Sequence, residues 1–323
     1  DAGWLVAMVR SPRFGSTAAL AAVPAAHLER RVEQTTRHLF PLGLFCGVLA
    51  AAAILLLARQ QMSIAAAMRT ALRRGEFFVL YQPVVELHSG GWSGVEALLR
   101  WGRGPDEPAG PDFFIPVAEQ TGLITRLTGR LLDLVEADVG RYLEDHPNFH
   151  VGINLSPADL RSSAIVERID RLLARSGARP SNLMVEITER GFLDLASARP
   201  VIAALRKRGI EVAIDDFGTG YSSLSYLETL DLDFLQIDRS FIEAIGTGAP
   251  TSQVVGHIIA MARTMNLRMI AEGVESMAQL DFLQGHGVQF AQGWLLGKPM
   301  PFADIVSGMH EHAARRSEAA STA

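Results

Sequence analysis

Residues 211–220 read EVAIDDFGTG. Val212 and Ile214 alternate with Ala213 and Asp215, which is the period of an extended strand whose successive side chains face opposite ways. Strands buried on both faces are apolar almost throughout. This one instead ends in two carboxylates. Neighbouring residues of a strand diverge, so Asp215 and Asp216 reach one site only if the strand is ending there, and Gly218 and Gly220 supply the break and a flexible loop.

The same design repeats on either side. From Phe77 onward, short apolar runs alternate with helical segments, the rhythm of βα units around a largely parallel sheet. The strand candidates are Phe77–Val85, Gly94–Trp101, Val151–Leu155, Leu183–Thr188, Glu211–Asp215, Phe234–Ile237, Arg268–Ala271 and Val288–Leu295. Eight strands within residues 76–311 fit a (β/α)8 barrel of the TIM type. The alternative is a doubly wound open sheet. That fold usually carries a glycine-rich phosphate loop after its first strand, and none occurs here.

Parity assigns the faces. Gly94, Glu96, Leu98 and Arg100 share one side of their strand; Gly152 and Asn154, Glu186 and Thr188, Ala213 and Asp215, and Ile270 and Glu272 do the same in theirs. Aliphatic residues take the face toward the outer helices. Polar ones take the lumen at the C-terminal ends, where barrel enzymes place their chemistry. Any one of them could be a solvated rim residue or, like Ser156-Pro157, a helix start. As a set, Glu96, Asn154, Glu186, Asp215, Asp216 and Glu272 crowd more negative charge into one mouth than can stay ionised without compensation. A divalent cation is the simplest remedy. With no Cys or His in the set, oxygen ligation points to Mg²⁺ or Mn²⁺. Two ions roughly 3.5–4 Å apart would suit an in-line phosphoryl displacement by an activated water.

The N-terminal quarter differs. Leu39–Ala58 is a run of twenty uncharged residues, enough to cross a hydrocarbon core of about 30 Å as a helix. A core helix or a signal peptide is the alternative, but nearly forty residues precede the run. Arginines flank it on both sides (Arg30, Arg31 and Arg37 before; Arg59, Arg69, Arg73 and Arg74 after), so the positive-inside rule is silent on orientation. Residues 59–75 read as a connecting helix with Ile64, Met68 and Leu72 on one face and Gly75 as its stop. Residues 1–38 read as the tail of a truncated sensor region, and 312–323 as a disordered tail. Cys46, the single cysteine, sits in the apolar run and reads as a buried thiol. Met261, Met265 and Phe282 have the helical spacing of core residues. A formal net charge of −5 gives no footprint for a nucleic acid polymer.

YQPVV (81–85), EALLRW (96–101), FIPVAEQTGLI (114–124), INLSP (153–157), EITE (186–189), IDDFGTGYSSL (214–224), AEGVE (271–275) and FAQGW (290–294) together resemble the EAL-domain cyclic di-GMP phosphodiesterases over about residues 65–310. The resemblance implies a TIM-type barrel with one antiparallel strand and hydrolysis of cyclic di-GMP to linear pGpG with two Mg²⁺ or Mn²⁺ ions. By motif position, Glu96, Asn154, Glu186 and Asp215 would hold the first metal, and Asp215, Asp216 and Glu272 the second. Asp216 and Glu272 would also count as catalytic. Arg100 resembles the phosphate-contacting arginine; Gln82, Leu98, Asp238, Glu275 and Gln292 resemble substrate contacts. Glu189 resembles the residue that steadies the DFGTGYSS loop, which links dimerisation to metal binding. A span, a short helix and this barrel together resemble the CSS-motif membrane subgroup. That implies a periplasmic residue 1–38 segment, a homodimer through the barrel, and a bacterial inner-membrane protein whose barrel lies in the cytoplasm.

One position departs from the resemblance. The strand-six motif is typically Lys-Ile-Asp, but here it is Gln236-Ile237-Asp238. Gln236 stands at the catalytic position without the charge, and loss of one such electrostatic contribution commonly costs on the order of 10²–10³-fold in rate. A working phosphodiesterase is therefore one expectation, and a catalytically weak cyclic di-GMP sensor the other. A structural barrel with a merely decorative rim of carboxylates is the third.

Overall fold

The computed structural model describes residues 3–10, 18–102, 109–189, 194–218, 230–248 and 251–310. Two compact units divide the chain at residues 63 and 64.

In the first unit, β1 (Trp4–Arg10) and β2 (Ala18–Pro24) form an antiparallel pair, with Trp4 opposite Pro24 and Arg10 opposite Ala18. Helix α1 (Ala25–Arg74) follows without a break. The expected span and the expected connecting helix are thus parts of one element, and Pro41 lies inside it rather than near its start. The segment Pro41–Arg74 is long and apolar enough to cross a membrane, with a mean hydropathy of 2.4 over its most apolar window and none of that window buried. Leu44, Phe45, Leu49 and Leu55 are exposed. Cys46 is exposed too, against expectation, because the apolar run presents its whole circumference instead of entering a core.

The second unit opens with the last turns of α1. Ala65, Met68 and Ala71 are buried there, with Ile64 and Leu72 packed beside them. The face read from the sequence is therefore the packed one, centred on Met68, with Ala65 and Ala71 added to it. Burial of a side chain such as Met68 contributes about 1.5–3 kcal/mol.

A closed eight-stranded barrel follows. Its strands are β3 (Phe77–Glu86), β4 (Trp92–Trp101), β5 (His150–Leu155), β6 (Leu183–Thr188), β7 (Glu211–Phe217), β8 (Phe234–Ile237), β9 (Arg268–Ala271) and β10 (Phe290–Ala291). β3 runs antiparallel to both β4 and β10, while the other neighbouring pairs are parallel. The single antiparallel strand implied by the resemblance is therefore present. Helices α2 (Pro111–Gln120), α3 (Ile124–Asp145), α4 (Ala164–Ser176) and α5 (Leu195–Lys207) and later helices alternate with the strands. Val151, Ile153, Val185, Ile187, Val212 and Ile214 meet these helices in the main core, each at most 2 % exposed. Met261, Met265 and Phe282 pack against that core, partly buried.

The lumen holds a smaller apolar layer: Val84, Met184, Ala213, Phe234 and Ile270. These are the inward residues by parity, one step below the polar ones. The last strand is shorter than the expected Val288–Leu295: it ends at Ala291, and the chain turns from Gly293, whose missing side chain lets it lie against the backbone of Val274. Ser156-Pro157 starts only a 3₁₀ turn at Asp159–Arg161, held by Ser156 Oγ donating to Asp159 Oδ2 at 2.6 Å.

Candidate active site at the barrel mouth

Strand register brings the polar residues into one layer. Gln82 stands opposite Glu96, Asn154 beside Glu186, and Thr188 beside Asp215. Glu96 is 9 % exposed, Glu186 2 % and Gln236 1 %. Asn154 Nδ2 donates to Glu96 Oε1 at 2.7 Å, and Gln292 Nε2 donates to Glu96 Oε2 at 2.8 Å. Gln236 donates to Glu186, and its own Oε1 is buried and accepts no hydrogen bond.

Burial pushes the Glu186 carboxyl well above the usual carboxylate range, and the negative charges of Glu96 and Asp215 push it further. The hydrogen bond from Gln236 opposes them. Desolvation and like charge both disfavour the ionised form, so this layer calls for positive charge. Arg100 is the nearby cation: it feels the field of Glu96 and of Asp112, and Nη1 donates to the Leu99 carbonyl at 3.0 Å.

The remaining expected residues are spread around the rim. Glu272 follows β9 directly, half-buried, with its backbone N–H on the Ile237 carbonyl at 3.0 Å. Gln82 Nε2 donates to the Gly297 carbonyl at 3.2 Å, and Leu98 is half-buried. Asp238 caps the helix Arg239–Glu243, with Oδ1 accepting from the Ser240 N–H at 3.0 Å. Glu275 is exposed and pairs with Arg239 at 3.0 Å. Glu189 Oε1 accepts from the Gly218 N–H at 3.4 Å. Asp216 lies in β7, but its side chain falls outside the described residues, as does most of the DFGTGYSS loop and the tail 312–323.

Two features escaped the sequence reading. Gly152 sits beneath Glu186, where a Cβ would stand 2.1 Å from Glu186 Oε1, so the absent side chain makes room for the carboxylate. A glycine inside a buried strand was the available signal. At the other end of the lumen, His150 and Arg268 both meet Glu211, His150 at 3.7 Å, and the Arg268 guanidinium lies 3.9 Å over the Phe234 ring.

Among the described residues, no three Asp, Glu, His or Cys side chains stand in the geometry of a metal cage. The donor chemistry nonetheless fits a hard divalent cation. Every candidate offers oxygen, and the most buried carboxylate, Glu186, is the one whose pKa is raised by burial and by the charges of Glu96 and Asp215.

Fold and mouth together define a (β/α)8 barrel with an acidic, amide-braced centre at the C-terminal ends of its strands. The chain belongs to the EAL-domain family, whose model matches residues 65–299. It is 40 % identical over 272 residues to "Probable cyclic di-GMP phosphodiesterase PdeB" of Escherichia coli, covering 84 % of this chain and 52 % of that one. It is 37 % identical over 254 residues to the bifunctional diguanylate cyclase/cyclic di-GMP phosphodiesterase MucR of Pseudomonas aeruginosa, covering 78 % of this chain and 37 % of that one. Among solved structures, the PaMucR phosphodiesterase in complex with c-di-GMP superposes with a TM-score of 0.70 at 37 % identity, over 75 % of this chain and 99 % of that chain. The chain spans about half or less of the length of these two curated relatives.

Proposed function

We propose that the barrel hydrolyses cyclic di-GMP to linear pGpG with two Mg²⁺ or Mn²⁺ ions. One observation carries the reading: Glu186 is buried beside Glu96 and Asp215, a charge arrangement that a bound cation would relieve. Glu96, Asn154, Glu186 and Asp215 would hold one ion, and Asp215, Asp216 and Glu272 the other. When bound, the ions supply acidity to a water and charge to offset the phosphate oxygens. The water oxygen joins phosphorus, one bridging P–O3′ bond breaks, and the 3′ oxygen leaves with a proton. Arg100 would meet the phosphate with its planar fork. Gln82, Leu98, Asp238, Glu275 and Gln292 would seat the dinucleotide, and Glu189 would steady the loop through Gly218. Gln236, fixed to Glu186 through its amide N–H, would offer Oε1 to a water O–H.

Because cyclic di-GMP is cytosolic, the barrel would face the cytoplasm, with α1 crossing the bacterial inner membrane and residues 1–38 outside it. A homodimer through the barrel belongs to the same reading.

The neutrality of Gln236 favours a second reading, a sensor that binds cyclic di-GMP without useful turnover. The test is incubation of the purified protein with Mn²⁺ and cyclic di-GMP, followed by chromatography. Formation of pGpG supports the enzyme. Tight binding without product sinks the enzyme and leaves the sensor.

A further inference from the structure

We propose that a cleft on the helical shell, between the end of α1, α3 and α4, binds a phosphate group. It is separate from the barrel mouth and is lined by Arg73, Arg126, Arg130 and Arg168, with Leu72, Gly129 and Asp133, around about 210 Å³. Arg126 and Arg130 are four residues apart on α3 and so share one face, where like charges disfavour the helix. Four guanidinium groups therefore surround one carboxylate in a chain of net charge −5.

Several arginines elsewhere on the shell are neutralised. Arg175 pairs with Glu136, Arg206 with Asp233 and Arg208 with Asp170. Among the described residues, no ion pair holds Arg126, Arg130 or Arg168, while Arg73 Nη2 donates to Thr70 Oγ1 at 3.1 Å.

Gly129 is the second observation. It is buried, and a Cβ there would stand 1.7 Å from Arg168 Nη1, so the Arg168 guanidinium rests directly on the backbone of α3. An alanine would favour the helix more, and the exposed Arg168 guanidinium would have to give way to its methyl group. The arginine fork matches phosphate oxygens with paired hydrogen bonds. The volume is below that of pockets that enclose whole drug-sized ligands, which start near ~300 Å³. It suits a phosphate or a phosphomonoester head whose remainder lies outside. The group could come from a soluble phosphoester or from an anionic lipid headgroup.

The test is calorimetric titration of inorganic pyrophosphate into the full chain held in phosphatidylcholine nanodiscs. Wild type should bind. Gly129→Ala and the double variant Arg126→Gln/Arg168→Gln should each bind at least tenfold more weakly, with hydrolysis of cyclic di-GMP at its wild-type level. Nanodiscs containing phosphatidic acid separate the sources: weakened pyrophosphate binding supports a lipid headgroup, and unchanged binding supports a soluble phosphoester. No binding by wild type, or equal binding by all three proteins, overturns the proposal.

Discussion

Gln236 donates its side-chain amide to Glu186 at the mouth of the barrel, and its own oxygen, buried to 1 % exposure, accepts nothing. A neutral group thus occupies the β8 position beside the most crowded carboxylate. Gln236→Lys should place a cation against Glu186 and raise the rate of cyclic di-GMP hydrolysis by roughly tenfold or more, given the order of 10²–10³ that single electrostatic groups command. Affinity for cyclic di-GMP should change little. An unchanged kcat, measured by pGpG release, would remove Gln236 from the catalytic account.

Glu186→Gln keeps the shape of the side chain and deletes its charge. In chelator, relief of the repulsion from Glu96 and Asp215 should raise Tm relative to wild type. Wild type should gain Tm with Mn²⁺, because a ligand bound only by the folded state stabilises it. The variant should lose most of that gain. Equal Mn²⁺ shifts in both proteins would show that the ion binds elsewhere.

The other end of the lumen governs a pH effect. Burial lowers the pKa of His150, with Arg268 acting in the same direction, while the Glu211 carboxylate at 3.7 Å and a hydrogen bond to the Ser181 backbone oppose the shift. The unfolded chain therefore binds this proton more readily than the folded one. The stability that follows is present above the unfolded value of about 6.5 and is lost as pH falls through the folded value. Urea unfolding at several pH values should show stability falling between pH 7 and 5, and a shallower fall in His150→Gln. Parallel pH profiles would assign the effect to other groups.

Strand parity made most of this legible beforehand. Alternation in Val151–Leu155, Leu183–Thr188 and Glu211–Asp215 sorted core from lumen residues, because each parallel strand meets helices on one side and the lumen on the other. The lumen layer of Glu96, Asn154, Glu186 and Gln236 follows from it. Three things did not. Val288–Leu295 is apolar enough for a long strand, but it ends at Ala291 and the chain turns from Gly293, which lies against Val274. Gly152 looks like any small residue until Glu186 from the next strand occupies its space. The two halves of α1 read as separate helices, whereas the structure joins them through Arg59–Ser63. Non-local contacts decide the first two cases, and no local period records them.

The most direct measurement is the number of Mn²⁺ ions bound per chain, read by electron paramagnetic resonance during titration in the presence of cyclic di-GMP. Two sites in wild type, with loss of binding in Glu186→Gln and in Glu96→Ala, are expected. Absence of Mn²⁺ binding in wild type, or two undiminished sites in both variants, would contradict the assignment of the mouth as a two-metal centre.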